Sequence, residues 1–288
     1  MNESQYVSAM LERTYRAFDR AEVERIRNMT WAVAGLGGVG AITVELLARW
    51  GVKCFRLLDM DRYEPSNLNR QLFATSKTLG RWKVDVAAER IREINPFAEI
   101  EMQIAERVNN DNVDPFVHGA GMLVQNADYP SAKLFYLAAR RHRVPLVNGY
   151  ATVTGGRVQV FDYRTSTCTT FLDEWWQRLK FGRRKPLTSY DPEELAGFDR
   201  ENVHATAPSI NFVTNLVGCL IVAEAVKLLT GKGRSVVYPY YLEFDVFQWR
   251  WRKRHVYSPW NPINWAALFK TLEKQYPSQR AAQNQKKA

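Results

Sequence analysis

The run Trp31-Ala32-Val33-Ala34-Gly35-Leu36-Gly37-Gly38-Val39-Gly40 constrains this chain more than any other ten residues in it. A short apolar stretch ended by glycines reads as a buried strand, and the residues after it keep helical spacing. Val44, Leu47 and Ala48 share one side of the segment from Val39 to Trp50, and Gly51 stops it. Cys54-Phe55-Arg56-Leu57-Leu58 comes next as a second strand. Strand, glycine turn, helix and strand in that order open a doubly wound parallel sheet. The spacing Gly35-x-Gly37-x-x-Gly40 lets the backbone approach a phosphate while the first N–H groups of the helix point at it. Asp59 stands 19 residues beyond Gly40, at the end of the second strand, where a carboxylate takes ribose hydroxyls. At this level a nicotinamide or flavin cofactor is the default, and a glycine turn that binds nothing shares the pattern.

The alternation continues. Lys83 to Ile94 has helical spacing and ends at Asn95-Pro96, and Ile100, Met102 and Ile104 alternate as a strand. Met122-Leu123-Val124 is another strand, a helix runs from about Ser131 to His142, and Val144 to Val147 is one more strand. The fold class is therefore α/β, a doubly wound, mostly parallel Rossmann-like sheet with helices on both faces. Residues 5–27 read as one cationic helix within an N-terminal arm, 1–28, ahead of a nucleotide-binding core, 29–172. Gly155-Gly156 reads as a turn, and 173–206 as a polar, basic crossover loop. Residues 207–271 complete the domain with an apolar helix near 209–229 and two strand-like runs around 235–247. The polar segment 272–288 is expected to be a disordered tail.

At 288 residues, 46% of them hydrophobic, the chain has enough apolar material for a large core, and its ordinary glycine and proline content excludes a collagen or a low-complexity polymer. The stretch from Phe212 to Val226 contains Asn215 and Glu224 and is expected to be a buried helix too short for a membrane span. Cys54, Cys168 and Cys219 are too few for a disulfide framework, and the N-terminus lacks the basic-then-apolar order of a signal peptide, so the expected location is cytoplasmic. Forty Lys and Arg against 30 Asp and Glu give a net charge of +10, which favours anionic partners without choosing among them.

The residues beyond the second strand make that choice. Asp59-Met60-Asp61 leads to Asn67-Leu68-Asn69-Arg70-Gln71 and then to Gly80-Arg81-Trp82-Lys83. Arg70 and Lys83 are two cations downstream of a phosphate-cradling turn, which a triphosphate needs and a bridging pyrophosphate rarely does. Either alone reads as a solvated surface charge; the ordered set does not. With Ile94-Asn95-Pro96 after it, and Ala207-Pro208 leading into a helix that ends Glu224-Ala225-Val226-Lys227-Leu228-Leu229, this set resembles the ThiF/MoeB/HesA superfamily of ubiquitin-activating-type adenylyltransferases. The resemblance covers roughly two thirds of the chain.

The resemblance implies ATP as cosubstrate, with Gly35, Gly37 and Gly38 against its phosphates and Asp59 on the ribose. Asn67 and Gln71 would join Arg70 and Lys83 around the triphosphate, with the two cations offsetting charge at the α-phosphate, and Asp61 would be a further nucleotide-binding residue. Asp128 would position Mg²⁺, and Arg16, or Arg13 near it, would reach the site of a second subunit in a homodimer. The implied partner is a small ubiquitin-like or sulfur-carrier protein ending in Gly-Gly. Its carboxylate is already ionised, so attack on the α-phosphate requires positioning and charge stabilisation and no general base.

Departures from the family pattern matter too. Relatives with a structural zinc hold it by two CxxC pairs, but here Cys168-Thr169-Thr170-Phe171 and Ser258-Pro259-Trp260-Asn261 stand in those places, so no zinc site is expected. Cys219 and Cys54 read as buried small hydrophobes, and Cys168 as a metal-site remnant or, second, a nucleophile beside basic residues. Trp249 to Arg254 interleaves Trp with Arg and Lys; it reads as a solvated edge strand, a dock for an acidic protein or, last, a nucleic-acid surface. A catalytically silent scaffold of the same fold is the alternative function, and an NAD-dependent dehydrogenase comes third.

Overall fold

The computed structural model describes residues 1–127, 133–166, 168 and 208–256. β1 (Thr30–Ala34) turns Trp31 and Val33 to one face of the sheet and Ala32 and Ala34 to the other, and all four are fully buried. Both faces of the strand are covered, which is why it reads as a continuous apolar run. The other strands are β2 (Cys54–Leu58), β3 (Glu99–Ile104), β4 (Met122–Gln125), β5 (Leu146–Ala151), β6 (Gly155–Phe161), β7 (Tyr240–Asp245) and β8 (Arg250–His255). They form one sheet in the order β3-β2-β1-β4-β5-β6-β7-β8. The first five in that order run parallel and the remaining pairings are antiparallel. The strand order reverses between β1 and β4, and a crevice at that reversal, outside the carboxyl ends of the strands, is where such sheets bind ligands.

Two helices precede the sheet, α1 (Glu3–Met10) and α2 (Arg20–Arg27). They replace the single helix expected over 5–27, because Asn2 and Asp19 each begin a new helix with a capping box, to Gln5 and Glu22. The arm is bound to the core. Trp31 Nε1 donates to the Ile26 carbonyl at 3.0 Å, Arg27 Nε to Gly51 O at 3.0 Å and Arg25 to Leu229 O at 2.8 Å. On the first face lie α3 (Gly38–Arg49) and α4 (Lys83–Ile94); on the second lie α5 (Asn110–Val117) and α6 (Lys133–His142). Sequence spacing does not reveal α5, whose interior Pro115 hides it, although Asn109 caps Asp111 and Asn112 at its start.

The last helix among the described residues, α7 (Asn211–Thr230), packs against α3, β5 and β6. It has 20 residues, ends at Gly231 in the left-handed conformation (φ +74°), and is long and apolar enough to cross a membrane by length and composition. The expectation that this stretch is too short therefore fails on length. Burial of 56% of its most apolar window against the sheet marks a core helix instead. Cys219 lies on its outer side and is exposed, contrary to the expected burial, and Cys54 is half-buried.

Gly155 and Gly156 open β6 and do not make a turn; a Cβ on Gly155 would stand 1.9 Å from the Phe244 carbonyl oxygen of β7. The β7–β8 hairpin begins and ends later than the runs around 235–247. Among the described residues β8 is the terminal strand, as the edge-strand reading has it, with Trp251 half exposed and stacked on Phe244 at 5.1 Å.

Arg56 is the one charged residue of β2, and it is buried under α5. Its Nη1 donates to the carbonyls of Pro115, Phe116 and His118, closing the end of that helix, while Nε and Nη2 bind the Glu101 carboxylate at 2.9 and 2.8 Å. Arg56→Leu should lower unfolding stability by about 2–4 kcal/mol in urea titrations, because three helix-end carbonyls lose their donor. The Arg56 guanidinium holds the Glu101 carboxyl below the usual range. The pair's contribution is thus present above the ordinary glutamate pKa of about 4.3 and lost as pH falls through the lower folded value. The gap between parent and variant should narrow on acidification; a constant gap from pH 7 to acid would refute the pairing.

Candidate active site

The glycine turn sits at the strand reversal. Gly35 takes φ +83°, and a Cβ there would stand 2.7 Å from the backbone carbon of Asn126, just past β4. Asn126 N donates to the Ala34 carbonyl at 2.8 Å, so the two chain segments leave the sheet side by side. Gly37 is the N-cap of α3, and a Cβ on Gly38 would lie 3.1 Å from Thr214 of α7. The N-terminal ends of α3 and α7 therefore meet beside the turn.

Asp59 is buried behind it. One carboxylate oxygen accepts from Leu36 N at 2.5 Å and the other from Asp61 N at 2.9 Å. This carboxylate holds the glycine turn in place, a role beyond the ribose contact implied by resemblance. Burial raises its pKa, opposed by the nearby Lys83 cation. Lys83 opens α4, is 5% exposed, and donates from Nζ to Asp61 Oδ2 at 2.8 Å. A buried ammonium with a half-exposed acid as partner is held ready for a stronger anion.

Asn67, Arg70 and Gln71 lie on the 3₁₀ turn Pro65–Asn67 and the residues after it. Asn67 is buried, accepts from Glu64 N at 3.1 Å through Oδ1, and takes both Arg70 N and Gln71 N on its carbonyl. Asn69 Nδ2 reaches Ser209 O at 3.2 Å, tying this turn to the approach to α7. Arg70 folds back, donating to Ser66 O at 2.8 Å and Asn69 Oδ1 at 2.9 Å, and among the described residues no carboxylate pairs with it. The Gln71 amide faces the turn, its Nε2 3.7 Å from where a Cβ on Gly37 would stand.

Several polar atoms here are buried without a hydrogen-bond partner among the described residues: Gln71 Oε1, both Nδ2 and Oδ1 of Asn126, and the Tyr63 hydroxyl. Such atoms cost about 1–3 kcal/mol each and gather where a ligand supplies the missing bonds. Asn126 and Tyr63 are additions to the sequence reading; the signal for Asn126 is a polar residue directly beyond a buried strand, opposite the glycine turn. The Tyr63 phenol is pushed up by burial and by the Asp59 charge. Gln71→Leu should leave stability unchanged or higher, since an orphaned buried acceptor is removed, yet weaken ATP binding about tenfold by calorimetry. Unchanged affinity would mean the amide serves no ligand.

Arg16 is expected to serve the site of a second subunit, not the one in its own chain. Arg16 pairs with Glu12 at 2.7 Å on an exposed turn whose neighbours pack near Trp50, at the far end of α3 from the glycines. Asp128, expected to hold Mg²⁺, lies outside the described residues, as do the crossover loop, the tail and Trp260. No group of three or more His, Cys, Asp or Glu suited to a metal occurs among the described residues. Cys168 is buried and burial raises its thiol pKa, which argues against the nucleophile reading. Trp82 packs against the core with the Arg62 guanidinium 3.8 Å over its ring.

Comparison with known proteins agrees with this geometry. The chain is 28% identical over 236 residues to the sulfur carrier protein adenylyltransferase of Thermus thermophilus, covering 80% of this chain and 79% of that one. It is 32% identical over 150 residues to the molybdopterin-synthase adenylyltransferase of Salmonella typhimurium (52% and 60%). It is 34% identical over 145 residues to the tRNA threonylcarbamoyladenosine dehydratase of Escherichia coli (50% and 52%), so it spans little more than half the length of these last two relatives. In fold it is similar to E. coli MccB with ATP, at a TM-score of 0.66 and 16% identity over 85% of this chain and 71% of that one. The ThiF family model matches residues 11–264, and on that match the chain belongs to the ThiF family and is an enzyme of the adenylyltransferase type.

Proposed function

We propose that the protein uses ATP to adenylate the C-terminal carboxylate of a small ubiquitin-like or sulfur-carrier protein ending in Gly-Gly. A carboxylate oxygen attacks the α-phosphorus, the bond from that phosphorus to the oxygen bridging to the β-phosphate breaks, and pyrophosphate leaves with the electron pair. The products are an acyl adenylate and pyrophosphate, and no proton has to be removed from the nucleophile. The observation that carries the reading is the buried Lys83 ammonium, paired among the described residues only to the half-exposed Asp61, beside a glycine turn ringed by amides with no partner among those residues. Backbone N–H groups of α3 and the cations Lys83 and Arg70 then serve the developing negative charge.

Mg²⁺ belongs to this proposal through Asp128, where it would neutralise phosphate charge. The proposal also includes a homodimer in the cytoplasm, in which Arg16 acts on the partner's site. Exposed Phe212 and Cys219 on the outer side of α7 favour a covered face, and light scattering on the purified protein tests it. The name of the E. coli dehydratase favours one second reading, a carboxylate carried on tRNA as the group activated.

Exchange of labelled pyrophosphate into ATP, with candidate Gly-Gly carriers and with tRNA supplied separately, tests the reaction and its substrate. Exchange that depends on one carrier and disappears in Asp128→Ala supports it. ATP binding without exchange for any substrate would move the catalytically silent scaffold forward, and NAD binding without ATP binding would restore the dehydrogenase.

A further inference from the structure

Beyond the nucleotide site, the same edge of the sheet carries a groove of about 200 Å³ lined by Thr152, Arg157, Glu243, Asp245, Arg250 and Arg252, among others. A polar strip leads to it across five strands. Gln125 of β4 pairs in register with Asn148 of β5, which donates to its carbonyl and amide oxygens at 3.1 and 2.7 Å. Two residues on, Tyr150 registers with Arg157 of β6, Arg157 with Glu243 of β7, and Glu243 with Arg252 of β8. Residues in direct register, and those two apart on one strand, share a face of the sheet, so the strip runs continuously along one side from the strand reversal to the edge.

The charges in the groove do not balance. Glu243 is shared between Arg157 and Arg254, at 2.7 Å each, and Asp245 takes Arg250 at 3.7 Å. Arg252 has neither an ion pair nor a hydrogen bond from its side chain to any described residue, and it is exposed. Two carboxylates thus fix three guanidiniums and leave a fourth available for an anion from outside.

We propose that Arg252 pairs with a glutamate or aspartate in the extended C-terminal tail of the protein substrate, laid along this strip with its terminus at the glycine turn. The inference rests on the function proposed above and adds a sequence preference to it. Strands lie about 4.8 Å apart, so β7 and β8 stand roughly 14 and 19 Å from β4. An extended chain covers about 3.3 Å per residue, which places the acid roughly four to six residues before the reacting carboxylate. A peptide fits both signs of charge in the groove, since it brings N–H donors for Glu243 and Asp245 as well as carboxylates for Arg252. Nucleic-acid phosphates bring only acceptors and negative charge to those two acids.

Fluorescein-labelled dodecapeptides ending in Gly-Gly, with Glu, Gln or Lys at the fifth position from the end, test this by fluorescence anisotropy on the full chain with ATP present. The Glu peptide should bind about tenfold more tightly than the Gln peptide, an advantage that falls with added salt. Arg252→Gln should remove the preference and Arg252→Glu should turn it toward the Lys peptide. A preference unmoved by either variant, or a single-stranded RNA dodecamer that displaces the Glu peptide in an Arg252-dependent way, would overturn the proposal. Calorimetry with ATP on the same preparations separates the two levels: intact ATP binding with Arg252-indifferent peptides removes the groove alone, whereas no ATP binding removes the function beneath it.

Discussion

Lys83→Ala should lower pyrophosphate exchange by about 10²–10³-fold, the size of effect seen when one preorganised donor to a developing oxyanion is lost. Burial is the root of this expectation. An ammonium that is 5% exposed, on the first residue of α4, is held in place by the packing of that helix. Its direct partner Asp61 is half exposed, and Asp59 lies close enough to feel its charge. Without Lys83, both carboxylates face the incoming triphosphate uncompensated, so ATP affinity should fall together with turnover. Lys83→Arg should not restore activity, because a planar guanidinium cannot occupy a space shaped for a compact ammonium. The same substitution to alanine predicts a change in pH dependence. Burial already raises the Asp59 pKa and Lys83 opposes that rise, so removing Lys83 raises it further. An acid with a raised folded pKa gives its stabilisation below the unfolded value and loses it as pH climbs through the folded one. Melting temperature should therefore decline more steeply above about pH 4 in Lys83→Ala than in the parent. Wild-type exchange rates in Lys83→Ala, measured on protein that melts cooperatively, would remove this residue from the mechanism.

The fold and the position of the candidate site are legible in the sequence because their signals are local and periodic. The β1 run, the glycine turn and Asp59 lie within thirty residues, and the strand–turn–helix grammar places all three at one end of the sheet. The order of Asn67, Arg70, Gln71 and Lys83 after β2 is equally plain, but their partners are not. That Asp59 holds Leu36 N, or that Asn69 reaches Ser209, depends on contacts between segments far apart in sequence, which spacing does not encode. Asn126 is hidden because an Asn after a strand reads as an ordinary turn residue until its burial without partners is visible. Gly155-Gly156 misleads because a glycine pair marks a turn in most contexts, while here the close approach of β7 and α7 demands it inside a strand.

The second large effect separates the glycines that build the fold from those that face the nucleotide. A Cβ on Gly40 would stand 1.8 Å from the Gly35 carbonyl oxygen and 2.8 Å from its carbon, both backbone atoms that no rotamer change can move. Gly40→Ala must therefore push the start of α3 away from the end of β1. That helix carries Ala41, Val44, Leu47 and Ala48 into the core, so the displacement loosens packing along its length. A cost of about 3 kcal/mol or more is expected from overpacking against an unyielding wall. For a chain of this size that is a fall of roughly 5 °C in melting temperature. ATP binding should be lost with it, since the turn can no longer present its N–H groups. At Gly37 a Cβ would meet, among the described residues, only the Gln71 amide, with Nε2 at 3.7 Å, an ordinary contact. Gly37→Ala should therefore melt within about 1–2 °C of the parent, as surface changes of under about 0.5 kcal/mol do. Its methyl nevertheless stands between the turn and the Gln71 amide, where the proposed function puts the phosphates, and should weaken ATP binding at least tenfold by calorimetry. One variant then loses fold and ligand together, and the other loses ligand alone. If Gly40→Ala melts like the parent, the close approach of α3 to β1 is wrong; if Gly37→Ala binds ATP like the parent, the phosphates do not lie on this turn.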